Sequence, residues 1–197
     1  DEMIKRYGIL LLLGSILFNF LDLSAAEKKE VGAAHPFKNG EELTYKITWY
    51  GVLAGIGKLK VSDKALYKGK EVYRLASQGV TAGVIGKFYT VDDRLEVLID
   101  PQGLYPYYAF LSQQEGKRRK TTEVFFNQGK NKITYITNNG RPREFTAPTE
   151  VLDILSSLYF YRSQKLTEDN PIQMKVFSNK KIFSAQAKIL GKERLKT

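Results

Sequence analysis

Leu43, Tyr45, Ile47 and Trp49 alternate with Thr44, Lys46, Thr48 and Tyr50, a period of two that predicts a strand with one face turned to a core. Related patterning returns at Leu59 and Val61, over 72–77, at Leu95, Val97 and Ile99, through the aromatic-rich 104–114, at Thr122, Val124 and Phe126, and over 133–137, 172–178 and 182–190. Turn chemistry separates these runs. Gly51 to Gly57 holds three of its glycines; Tyr67-Lys68-Gly69-Lys70, Asp100-Pro101-Gln102-Gly103, Glu115 to Lys120, Asn127-Gln128-Gly129-Lys130, Asn138-Asn139-Gly140 and Asn179-Lys180-Lys181 follow. The pattern predicts successive hairpins, roughly eight or nine strands at the spacing of a sandwich or barrel. Between the third and fourth runs, Gly79 to Gly86 fits a short helix and an irregular crossing equally well.

One segment departs from this period. Val151, Ile154, Leu155, Leu158 and Tyr161 recur at helical spacing, and Leu152 and Tyr159 widen the apolar stripe until little of the cylinder is left for water. A helix over about 150–163 is predicted, with Thr149 as its cap, Glu150 and Asp153 in the first turn and Arg162 near the negative end. Such a helix has to be embraced. The expected fold is therefore α+β and mostly β: an antiparallel meander curled into an open, barrel-like sheet around one late helix.

The ends and the charge set the address. Lys5 and Arg6, an apolar run from Ile9 to Leu21, and Ser24-Ala25-Ala26 have the order of a secretory signal peptide cleaved after Ala26. The run is shorter than the ~20 residues of a spanning helix, so no membrane anchor is expected after cleavage. Residues 27–38 read as a flexible lead-in and 39–197 as a single β-rich domain. Asp1 and Glu2 precede Met3, and 192–197 bring no closing element, so a domain truncated at its C-terminus is expected. The net charge of +10 becomes +11 once 1–26, with two basic and three acidic residues, is removed. In an exported chain that excess points to anionic lipid or wall polymers and away from nucleic acid. With no cysteine, the chain has no disulfide, no thiolate nucleophile and no cysteine-ligated metal.

Three stretches carry a resemblance: GEELTYKITWYGVLAGIGKLKV within Phe37 to Val61, YTVDDRLEVLIDPQGLYP from Tyr89 to Pro106, and DILSSLYFYRSQKL from Asp153 to Leu166. In order and spacing they resemble the bacterial exported DUF3108 family, a domain of unknown function. The resemblance implies a periplasmic or envelope-associated, sheet-rich domain without assigned catalytic residues, whose pattern continues past the position of Thr197 with further strands.

Candidate chemistry is sparse. His35, the single histidine, rules out a multi-histidine metal site or a His-based triad in this chain and reads as a surface residue of the lead-in. Ser156 and Ser157 lie near Lys165 without the strand-turn-helix elbow that exposes a nucleophile. Asp92, Asp93, Glu96 and Asp100 form an acidic cluster, read as a turn and a salt-bridged strand edge, with a glycosidase-like pair as the alternative. No catalytic residue, cofactor or metal ligand is assigned. Lys117, Arg118, Arg119 and Lys120 are the densest basic run, either a hairpin tip kept soluble by charge or a contact for an anionic surface. Trp49, Tyr50, Phe88, Tyr89, Tyr105, Tyr107, Tyr108 and Phe110 crowd the first half of the chain; most suit a core. If the sheet gapes, Trp49, Tyr50, Phe88, Tyr89, Tyr107 and Phe110 become the ligand-binding set. The expectation is a non-enzymatic domain that binds an amphipathic, lipid-like envelope molecule. The alternatives are an envelope scaffold and a carboxylate hydrolase of wall or surface polysaccharide.

Overall fold

The computed structural model describes residues 37–165, 167 and 171–191. The expected signal peptide, most of the expected lead-in, His35 and residues 192–197 lie outside the described residues. Eight strands form one antiparallel sheet in chain order: β1 (Glu42–Trp49), β2 (Val52–Tyr67), β3 (Lys70–Thr81), β4 (Asp92–Ile99), β5 (Pro106–Glu115), β6 (Arg118–Asn127), β7 (Lys132–Thr137) and β8 (Arg143–Thr146). β1 and β8 are its two edges, so the sheet is open. A six-residue helix α1 (Gly83–Phe88) interrupts the β3–β4 connection, and helix α2 (Ile154–Ser163) precedes a separate hairpin of β9 (Ile172–Ser178) and β10 (Lys181–Ala187). The ambiguous 79–86 stretch thus resolves into the end of β3 followed by α1.

The meander is written in its turns. Tyr50 and Gly51 (φ 47° and 76°) and Lys68 and Gly69 (φ 49° and 77°) put two left-handed residues between paired strands, the turn whose twist matches that of the strands. The first connection is therefore two residues long, not the whole of Gly51 to Gly57, and Gly55 and Gly57 lie inside β2 opposite Ile47 and Tyr45. The basic turn likewise contracts to Gly116 and Lys117, with Arg118, Arg119 and Lys120 already in β6.

Directly opposed residues share a face. Val61, Leu75, Val97, Ala109, Val124 and Tyr135 form one such row across six strands, and all are buried. Against this inner face lies α2. Leu155, Ser156 and Tyr159 are sealed from solvent, and no residue of the helix is exposed. Phe37, counted above with the lead-in, instead packs edge-on against Tyr159, 5.1 Å between ring centroids. Phe177 of β9 meets Phe126, Tyr135 and Phe145, so the second hairpin closes over the β6–β8 part of the same core.

The helix starts at Ile154, four residues later than the apolar pattern predicts. The main chain before it is otherwise engaged: Gln128 Nε2 donates to the Val151 carbonyl, and Leu152 exchanges hydrogen bonds with Lys175 and Phe177 of β9. Asp153 is the cap itself, in place of Thr149. Its Oδ1 accepts from the Leu155 and Ser156 amides at 2.7 and 3.3 Å, while Ser156 Oγ accepts from the Asp153 amide at 2.9 Å. At the other end Arg162 grips Glu41 with both terminal nitrogens, at 2.6 and 2.9 Å, tying α2 to the start of β1.

Candidate functional site: an aromatic and basic rim

Because every strand reverses, the β1–β2, β3–β4, β5–β6 and β7–β8 connections gather at one end of the sheet. α1 belongs to this end. It is held against β2 by the Ala82 amide, which donates to the Ala54 carbonyl at 2.9 Å, and by Gly83, where a Cβ would lie only 2.8 Å from the Leu53 oxygen. The register slips between Ile47 and Thr48, leaving Ala54 in a bulge of β2, and Trp49, the last residue of β1, is not buried as Ile47 is. Trp49 is 66% exposed and Tyr50, on the turn, 90%; their rings touch edge to face at 5.2 Å. Phe88, ending α1, is 84% exposed, and Val52 and Val84 are exposed beside it.

The basic tip adjoins this patch. The Gly116 amide donates to the Thr90 carbonyl at 2.7 Å, and a Cβ on Gly116 would lie 3.2 Å from the Tyr89 ring. Lys87 and Lys117 are exposed. Arg118 sits 3.7 Å from Glu115, and Arg119 donates to the Gly116 and Arg118 carbonyls. Of the ten candidate residues, eight therefore meet at this end: Trp49, Tyr50, Phe88, Tyr89, Lys117, Arg118, Arg119 and Lys120. Tyr107 and Phe110 do not. The Tyr107 hydroxyl donates to Asp100 Oδ2 at 2.8 Å beside the β4–β5 turn, at the opposite end, and burial and that carboxylate raise its pKa. Phe110 pairs with Glu96 and Glu123, on the outer face away from α2. Val52, Val84 and Lys87 were missed as members of the rim.

The acidic residues separate by face. Asp92 is bound to Arg94 at 2.8 Å and to Gln78, and the arginine holds its carboxyl below the usual range. Asp93 turns inward and is 3% exposed; its Oδ1 accepts from the Gln114 amide, and burial pushes its carboxyl up. Glu115, 7% exposed, shares the Gln113 side-chain amide with Asp93 at 3.5 and 3.4 Å, and burial and Asp93 raise it too. Asp93 and Glu115 are thus enclosed in the sheet, while Asp92, at the start of β4, is held by Arg94. Glu115 was missed in sequence, since only the β4–β5 register brings it to Asp93. The Ser156 and Ser157 hydroxyls are spent inside α2, the first on the Asp153 cap and the second on the Ile154 carbonyl. Among the described residues, no three acidic or histidine side chains gather as a metal site, and no helix is long and apolar enough to cross a membrane.

An open antiparallel meander wrapped on a buried helix, with an aromatic and cationic rim at one end, defines a class of mostly β domain. The chain belongs to the DUF3108 family, described as protein of unknown function, whose model matches residues 44–197. No curated protein and no solved structure matches the chain.

Proposed function

We infer that this is an exported, non-enzymatic domain of the cell envelope that docks on an anionic lipid surface, or on an amphipathic molecule with an anionic head, through the α1 end of its sheet. One observation carries the reading: Trp49, Tyr50, Val52, Val84 and Phe88 are exposed at the same end as Lys87, Lys117, Arg118 and Arg119. Aromatic rings with a wet edge favour the headgroup level of a bilayer, and cations beside them are drawn to acidic lipid. The signal-peptide pattern at 1–26 and the net charge of +10 support the same address.

Trp49 is the single tryptophan and stands on the rim, so its fluorescence reports docking directly. Addition of vesicles of phosphatidylglycerol and phosphatidylcholine is expected to shift its emission to the blue, and salt to reverse part of the shift; pure phosphatidylcholine is expected to do neither. Each cation near the surface contributes about 1 kcal/mol, so removing Lys87, Lys117 and Arg119 together weakens binding by on the order of a hundredfold. A protein whose Trp49 emission and sedimentation ignore anionic vesicles at low salt refutes the reading.

A further inference from the structure

We propose that the cleft between β7, β8 and the β9–β10 turn is a binding site for a phosphate group, of the kind carried by a phosphomonoester. The cleft is half open to solvent, has a volume of about 210 Å³ and is lined by Tyr135, Thr137, Arg141, Arg143 and Lys180. Three cations from three separate segments converge there: Arg141 from the β7–β8 connection, Arg143 from β8, and Lys180 from the β9–β10 turn.

Their convergence on one concavity, with no carboxylate among its lining residues, is the argument. Some exposed cations of the sheet face carboxylates, as Lys60 with Glu42, Lys64 with Glu71, Arg74 with Glu96, and Arg94 with Asp92, and others of the described residues, Lys46 and Lys58 included, stand singly; here three share one concavity. Among the described residues, Arg141, Arg143 and Lys180 face no carboxylate. Glu144, next to Arg143 in β8, is drawn to Lys132 at 2.6 Å, and alternation along β8 turns it away from Arg143. Lys180 Nζ lies 5.4 Å from the centre of the Tyr135 ring, a contact that holds the ammonium in place without neutralising it. Pro142 fixes one backbone angle between the two arginines and so narrows the backbone conformations open to this segment.

Like charges gathered around a concavity repel, and a dianion removes the repulsion. Planar guanidinium forks match phosphate oxygens two at a time, the ammonium adds a point charge, and the Thr137 hydroxyl can donate to a remaining oxygen. The cleft has room for the phosphate and part of the molecule that carries it. It opens at the β7–β8 connection, the same end as the rim, but its chemistry does not depend on docking. The phosphate can belong to a lipid headgroup or to a soluble phosphoester.

The test uses the full chain and inorganic phosphate at constant ionic strength, with chloride as the control, read from the arginine side-chain resonances. Expected are saturable shifts at Arg141 and Arg143, and a loss of affinity of about tenfold for each of Arg141→Ala, Arg143→Ala and Lys180→Met, with Lys130→Gln unchanged. All four side chains are exposed, so circular dichroism is expected to stay as in the parent. Shifts that do not saturate, or that persist with the same affinity in the Arg141→Ala, Arg143→Ala double variant, overturn the proposal. Vesicles of phosphatidic acid and of phosphatidylglycerol at matched surface charge then separate the sources. A preference for phosphatidic acid that the double variant loses identifies a lipid headgroup; saturable phosphate binding without that preference identifies a soluble phosphoester. Trp49→Ala with Phe88→Ala is expected to lower association with both vesicles and leave the phosphate titration unchanged, so failure of docking and failure of this site are told apart.

Discussion

Asp153 caps α2 from within the core, and its two oxygens live differently. Oδ1 accepts from two amides, whereas Oδ2 has no hydrogen-bond partner among the described residues, and the side chain is buried. Asp153→Ala deletes both cap bonds and strands the Leu155 and Ser156 amides away from water, at a cost of about 1–2 kcal/mol. In a domain of this size that lowers Tm by roughly 2–8 °C. Asp153→Asn keeps an acceptor at the Oδ1 position and removes the charge. Burial raises the folded-state pKa of Asp153 above the 3.8 of an unperturbed aspartate. Below that value both states hold the proton and the carboxyl contributes no difference. As pH climbs, the unfolded chain releases the proton first, so the native state loses stability until pH passes the folded value, and the loss is constant thereafter. Asp153→Asn is therefore expected to match the parent near pH 4 and to gain on it toward pH 7.5. Urea unfolding followed by circular dichroism at both pH values measures this. An asparagine variant as unstable as the alanine one, or one whose advantage shrinks as pH rises, would refute the account.

Other expectations come from single contacts. Arg162→Met leaves Glu41 in a mostly buried site without its partner and is expected to cost about 2–3 kcal/mol; Glu41→Gln in the same chain should restore part of it, which a double-mutant cycle reads as coupling. Gly55→Ala sets a Cβ 2.7 Å from the Val80 carbonyl oxygen and is expected to destabilise by about 1–3 kcal/mol, while Gly57→Ala, whose Cβ meets nothing nearer than 3.8 Å, should be tolerated; thermal unfolding of the pair decides. Tyr50 holds a left-handed turn position that asparagine adopts more readily, so Tyr50→Asn is expected to raise stability by a few tenths of a kcal/mol while weakening vesicle binding, two measurements moving in opposite directions.

The strands were legible because period two is local: each run carries its own alternation, and glycine or asparagine takes a left-handed angle in most of the turns between runs, as at Gly51, Gly69, Gly116, Asn131 and Asn138. The C-terminal end of α2 was legible for the same reason. Its start was not, since Val151 and Leu152 are helix-compatible residues diverted by Gln128, 23 residues earlier, and by β9, more than 20 later. Phe37 and Glu115 were hidden likewise, one behind a charged, small-residue lead-in and the other behind a register that only the assembled sheet defines. Bulges add a further break, because each one resets which residues face inward. Such slips occur in β2 between Ser62 and Ala65, between Ile47 and Thr48, and between Leu98 and Ile99.

One signal for the rim was nonetheless present in the sequence. In an antiparallel meander the first, third, fifth and seventh connections must fall at one end of the sheet, whatever the details of twist. Trp49, Tyr50 and Val52 flank the first connection, Val84, Phe88 and Tyr89 fill the third, Lys117 marks the fifth, and Arg141 the seventh. The even connections carry Lys68 and Gly69, the Asp100 turn, and Gln128 to Asn131, with Leu66, among the described residues, as the one exposed large apolar residue beside them. Counting reversals thus sorts exposed aromatics to one end before any coordinates exist, provided the strands pair in chain order. Tyr107, lying just after the fourth connection, is assigned by the same count to the other end, where it binds Asp100. The parity also places the Arg141 cleft and the Trp49 rim on the same side of the molecule. The two lie toward opposite edges of that end, so headgroup selectivity and vesicle association have to be measured on separate variants.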